Sequence, residues 1–122
     1  MLEFGLPPAT CHTIRSILAD VAAVEKAVIF GSRAKGTYRP GSDIDLTLFG
    51  HGLSLDTLGH IATRLHESPI PYQVDLSLFD HIEHPGLREH IERVGQVFYR
   101  KGSRITETAR LATSLSCVVK KS

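Results

Sequence analysis

Gly31-Ser32-Arg33-Ala34-Lys35-Gly36 and, a few residues on, Ser42-Asp43-Ile44-Asp45-Leu46 form the stretch on which the fold turns. The second segment continues to Phe49 with strict alternation. Asp43, Asp45 and Thr47 fall on one face of a strand, and Ile44, Leu46 and Leu48 on the other, so one face is read as core and one as open. Just before the first glycine, Ala27-Val28-Ile29-Phe30 is short, apolar and β-branched, which reads as a buried strand running into Gly31. Between Gly31 and Gly41 three glycines and a proline stand among Ser, Arg, Lys, Thr and Tyr, the composition of a loop with room for one short helical turn.

Working outward, Tyr72-Gln73-Val74-Asp75-Leu76-Ser77-Leu78 alternates in the same way and turns Asp75 to the open side. Pro7-Pro8 start a first helix whose apolar face runs through Ile14, Ile17, Leu18, Val21 and Val24. Ser54 is the expected N-cap of a second helix through Leu55, Leu58, Ile61, Ala62 and Leu65, ended by Ser68-Pro69. Leu87, Ile91 and Val94 line a third, for which Gly95 is the expected left-handed cap, and Val97-Phe98-Tyr99 reads as an edge strand. Residues 105–119 suggest a fourth helix of weak amphipathicity. The expected class is therefore α/β (α+β): a mixed sheet with helices packed on one face and the open face left for chemistry. Residues 1–102 would be one domain and residues 103–122 a C-terminal extension, either a helix or a disordered tail.

Composition limits the function. At 122 residues the chain suits one catalytic domain without a second one to hold an acceptor. Its 42% apolar and 22% charged residues are those of an ordinary globular protein, and no apolar run approaches the ~18 to 20 residues of a membrane span. The N-terminus lacks a basic region ahead of an apolar stretch, so a cytoplasmic location is expected. A net charge of +1 makes long nucleic acid a weak candidate partner. Cys11 and Cys117, in no CxxC pattern, are read as reduced thiols. The seven histidines are scattered, and His81 and His84, the nearest to a metal-binding spacing, are read as solvent-facing.

If the two alternating strands are neighbours, Asp43, Asp45 and Asp75 meet on the open face. Clustered carboxylates repel one another and respond by protonating or by binding a cation, and hard oxygen ligands favour Mg²⁺ or Mn²⁺. Two such ions about 3.5 to 4 Å apart serve phosphoryl chemistry by activating an attacking hydroxyl and steadying the leaving group. The loop before the acids supplies what a triphosphate needs: close backbone approach at Gly31, a hydroxyl at Ser32, main-chain N–H groups, and positive charge at Arg33, Lys35 and Arg39.

Taken together, Gly31-Ser32-Arg33-Ala34-Lys35-Gly36 and Ser42-Asp43-Ile44-Asp45-Leu46 resemble the GSxAxG…SDxDL motif of the polymerase β-like nucleotidyltransferase superfamily, with Asp75 where that family places its third acid. The likeness spans roughly residues 10 to 100 and is nearest to the minimal nucleotidyltransferases. It implies that Gly31 and Ser32 bind the triphosphate of ATP, with Arg33 and Ser42 as supporting phosphate contacts. It also implies that Asp43, Asp45 and Asp75 hold two metal ions and that Asp75 helps deprotonate the acceptor. Many minimal nucleotidyltransferases pair with a helical HEPN-domain protein as antitoxin and toxin, and some transfer AMP to a tyrosine of that partner, so a HEPN partner is the implied acceptor. Two other readings stand beside this one: a transferase acting on a small molecule such as an aminoglycoside, and a non-catalytic module that neutralises its partner by contact alone.

Overall fold

The computed structural model describes residues 2–102; the expected fourth helix and Cys117 lie outside them. The elements in chain order are α1 (Pro8–Ala19), β1 (Lys26–Phe30), α2 (Ser32–Lys35), β2 (Ile44–Phe49), α3 (Leu55–Glu67), β3 (Val74–Leu78), a 3₁₀ turn at Phe79–His81, α4 (Pro85–Val94) and β4 (Gln96–Arg100). The four strands form one mixed sheet in the order β3-β2-β1-β4. β1 pairs antiparallel with β2 and with β4, whereas β2 and β3 are parallel, joined by the crossover through α3.

Local chemistry accounts for these boundaries. Pro8 opens α1 at a position where a missing N–H costs nothing. The helix stops at Ala19, short of the expected Val24, because the chain turns after Asp20; Val21 and Val24 extend the apolar pattern by folding back, and Val24 is fully buried. The hydroxyl of Ser54 caps α3 as expected, accepting from the Thr57 N–H at 3.2 Å. The helical turn foreseen in the glycine loop is α2, closed by Gly36 at φ 82. α4 ends at Gly95, but not by a left-handed cap: φ there is −65. Glycine is required at Gly95 for space, since a Cβ would collide with the Ile91 carbonyl and press on Val28.

The main core lies between one sheet face and two helices. Ala27 and Ile29 of β1, Ile44, Leu46 and Leu48 of β2, and Leu78 of β3 pack against Ile14, Ile17 and Leu18 of α1 and Ile61 and Leu65 of α3. The opposite face is not wholly open. A second, smaller core joins Val28, Phe79 and Ile91, with Phe30, Phe49 and Ile82 against it, so α4 covers the far part of this face. That is why Thr47, expected on the open side, is fully buried. Val28 and Phe79 are buried apolar side chains on that face, each contributing about 1.5–3 kcal/mol, and Phe49 stacks on Phe79 beside them. The open surface is thereby confined to the end of the sheet where the acids stand. No helix among the described residues is long and apolar enough to cross a membrane.

Candidate active site

Strand pairing carries the site. Asp45 lies opposite Asp75 across the parallel β2–β3 pair and opposite Phe30 across the antiparallel β1–β2 pair. Partners in register project to the same face, so Asp75, Asp45 and Phe30 form a row across three strands. Asp43 stands one residue before β2, where the Ile44 N–H donates to the Gln73 carbonyl and brings the start of β2 beside β3. Asp43 and Asp75 are exposed and Asp45 is half-buried.

This crowding has an electrostatic signature. The Asp45 carboxyl is raised above its ordinary value of 3.8, first because burial removes water from it, then by the neighbouring charges of Asp75 and Asp43, with His90 pulling in the opposite direction. The donors are hard oxygens whose mutual repulsion a divalent cation would relieve, so their chemistry fits Mg²⁺ or Mn²⁺. Among the described residues, however, no three His, Cys, Asp or Glu side chains converge closely enough to form a ready-made ligand cluster.

Gly31 connects the acids to the loop. At φ 76 and ψ −155 it occupies a conformation that L side chains rarely adopt, and a Cβ there would collide with the Asp45 carboxylate Oδ2. The backbone entering the loop therefore runs directly past the central acid. Gly31→Ala should cost about 1–3 kcal/mol in stability and displace Asp45, lowering any activity that depends on it by more than tenfold. Thermal melts and rate measurements on the variant check both, and a variant with wild-type Tm and rate would refute the close-packing account.

Among the loop residues read as phosphate contacts, the structure leaves Lys35 and Arg39 exposed and treats Ser32, Arg33 and Ser42 differently from one another. Ser32 is half-buried at the start of α2, next to Gly31. Arg33 is only 3% exposed and turned into the protein. Its Nε and Nη2 donate to the Ser42 carbonyl at 3.1 and 2.9 Å, and its Nη1 donates to the Phe4 carbonyl at 2.9 Å. The guanidinium lies between the rings of Tyr38 and Tyr72, 5.1 Å from each centroid. Ser42 is committed too, its hydroxyl accepting from the Arg39 N–H at 2.8 Å. The Arg33 guanidinium thus holds the loop in shape, each of its nitrogens already donating to a carbonyl, and the Ser42 hydroxyl ties the same loop by accepting from Arg39. Gln96 adds a further tie, donating to the Ala34 carbonyl at 2.9 Å.

His81 and His84 are exposed as read, and His84 caps α4, its Nδ1 accepting from the Leu87 N–H at 3.2 Å. Cys11 is a buried free thiol, pushed up by desolvation. Sequence reading missed His90, which reaches the acid row from α4, and its only signal was adjacency to the core residue Ile91. A cavity of about 680 Å³ lined by Lys26, Phe49, His51, Asp80, Arg100 and others lies at the opposite end of the sheet and contains none of the three acids.

The fold has close counterparts among solved structures. One is a chain in a toxin–antitoxin crystal structure with AMP-PNP, 21% identical with a TM-score of 0.62, the match covering 83% of this chain and 88% of that one. A second is from an MntA-HepT toxin–antitoxin, 17% identical with a TM-score of 0.58 over 86% and 89% of the chains. A third is from the tri-AMPylated Shewanella oneidensis HEPN toxin in complex with MNT antitoxin, 18% identical with a TM-score of 0.57 over 84% and 80%. No curated protein matches the sequence significantly. In sequence, residues 12–104 match the family "Polymerase beta, Nucleotidyltransferase", a span that includes the glycine loop and all three acids. The chain belongs to the polymerase beta nucleotidyltransferase family, and its chemistry is nucleotidyl transfer.

Proposed function

We propose that this nucleotidyltransferase moves AMP from ATP to a hydroxyl on a partner protein, a helical HEPN-domain toxin, and so acts as the antitoxin of the pair. The observation that carries the reading is the row Asp75–Asp45 standing against the Gly31 backbone, which sets an acid surface beside a glycine loop suited to a triphosphate. Similarity in fold to chains from a toxin–antitoxin with AMP-PNP and from an AMPylated HEPN toxin complex supports the choice of nucleotide and partner.

In this reading residues 1–102 are the catalytic unit, and the reaction takes place in the cytoplasm, where ATP is supplied. Gly31 and Ser32 hold the triphosphate through backbone N–H groups and the hydroxyl, and Arg33 and Ser42 keep the loop in that shape. Asp43, Asp45 and Asp75 would hold Mg²⁺ or Mn²⁺, which when bound neutralises phosphate charge and makes the acceptor hydroxyl a better nucleophile. The exposed Asp75 carboxylate takes the proton from that hydroxyl. The acceptor oxygen then bonds to the α-phosphorus, the bond from phosphorus to the oxygen bridging to the β-phosphate breaks, and pyrophosphate leaves. Asp43 and Asp75 lie exposed on the face, so the acceptor must be presented by another molecule, as a protein partner does.

The test is incubation with Mg²⁺, the co-purifying partner and ATP labelled at either the α- or the γ-phosphate. The expected result is α-label on the partner and, from γ-labelled ATP, labelled pyrophosphate with no label on the partner. Label from the γ-position alone would mean kinase chemistry. Complex formation without label would favour a contact-only antitoxin, and modification of an aminoglycoside without partner would favour a small-molecule transferase.

A further inference from the structure

The acid row has a second neighbour besides the glycine loop. Phe30, in register with Asp45, meets the imidazole of His90 with ring centroids 6.3 Å apart and the planes at 81°. His90 comes from α4, the helix whose Ile91 packs with Val28 on the same sheet face, so it stands where the covered part of that face gives way to the acids. The loop carrying Gly31 and Ser32 reaches the acids from the end of the sheet, whereas α4 reaches them from above the face. The two therefore border the row from different sides.

We propose that His90 is a phosphate-contacting residue of the nucleotide site, donating an imidazole N–H to a non-bridging phosphate oxygen of ATP. The inference rests on the reading of the acid face as an ATP site and adds a group that the glycine loop and acids do not include. A site built from three carboxylates needs donors to offset the charge of a bound triphosphate, and the buried arginine of the glycine loop is already committed elsewhere. Arg33 gives its guanidinium to the carbonyls of Phe4 and Ser42. His90 is half-buried, carries an imidazole N–H that can donate, and lies near enough to Asp45 to interact with its carboxyl electrostatically. Its edge-to-face contact with Phe30 restricts the ring, so a hydrogen bond made from there loses less conformational freedom than one from the exposed Lys35 or Arg39.

Two substitutions separate packing from donation. His90→Phe keeps an aromatic ring against Phe30 and removes the N–H, whereas His90→Gln keeps a donor and removes the ring. Binding of ATP with Mg²⁺ is measured by calorimetry at pH 7 and low salt, alongside thermal melts. His90→Phe should weaken ATP binding about five- to twentyfold while leaving Tm within about 2 °C of wild type. His90→Gln should restore at least half of the loss on a logarithmic scale. His90→Phe binding ATP as tightly as wild type would overturn the assignment. So would equal weakening in both variants with a fall in Tm, the result of a purely structural role. Wild-type protein that fails to bind ATP would overturn the reading of the acid face itself, an outcome distinct from failure of the His90 contact alone.

Discussion

Asp43→Ala combined with Asp45→Ala is expected to reduce nucleotidyl transfer by about a thousandfold or more while leaving the fold intact or slightly stabilised. The loss of rate follows from removing two of three hard oxygen donors from the place where phosphate charge develops. The effect on stability has the opposite sign because Asp45 is strained electrostatically: burial, Asp75 and Asp43 all disfavour its ionised form. A carboxyl raised in the folded state supports folding most when protonated, and that support is lost as pH rises from its ordinary value of 3.8 through the raised one. The variant, having no such group to ionise, should therefore melt above the wild type at pH 7, with the gap closing as pH falls towards 4. Asp45 is only half-buried and solvent screens it, so the gap should be about 1–3 °C. Melting curves across pH in metal-free buffer check the sign. A variant that melts well below wild type at neutral pH would mean that these acids support the fold.

Arg33→Ala is expected to have the largest effect on stability. Three hydrogen bonds hold the Phe4 and Ser42 carbonyls to one guanidinium that is almost wholly buried between Tyr38 and Tyr72. Truncation leaves those carbonyls without their donors and empties the space between the rings, at a cost of roughly 2–4 kcal/mol. In a domain of this size that corresponds to a fall in Tm of about 10–20 °C. Arg33→Lys should recover little, since an ammonium cannot span two carbonyls on separate segments as the planar fork does. The measurement also decides between two jobs for this residue. A free phosphate contact would show normal melting and weakened ATP binding, whereas a clamp between the N-terminal turn and the glycine loop shows the reverse order, with instability first.

Arg33 shows where reading the sequence stopped. A basic residue in a glycine loop next to acids is read as a phosphate ligand because composition records charge and not direction. The direction was set by Phe4 and Tyr72, which are distant in sequence and meet at Arg33 only when the chain is folded. Gly95 is a parallel case. Its position after a helix suggested a left-handed cap, yet its φ is ordinary and the constraint is space, set by the Ile91 carbonyl of its own helix together with Val28 on another element. Thr47 followed the strand alternation correctly but is buried, since nothing in a period of two says that a later helix will return to cover that face.

What the sequence alone determined was local and periodic: alternation placed Asp45 and Asp75 on the faces opposite their apolar neighbours, Ser54 capped α3, and the spacing of glycine loop and acids identified the family. These follow from backbone geometry over a few residues, which the order of side chains records directly. Only the tertiary structure set Asp45 opposite Asp75 in register, pressed the Gly31 backbone against the Asp45 carboxylate, turned Arg33 inward and brought His90 of α4 over Phe30. Each of those depends on strand pairing or packing between segments tens of residues apart, and so on the cooperative burial of the whole core.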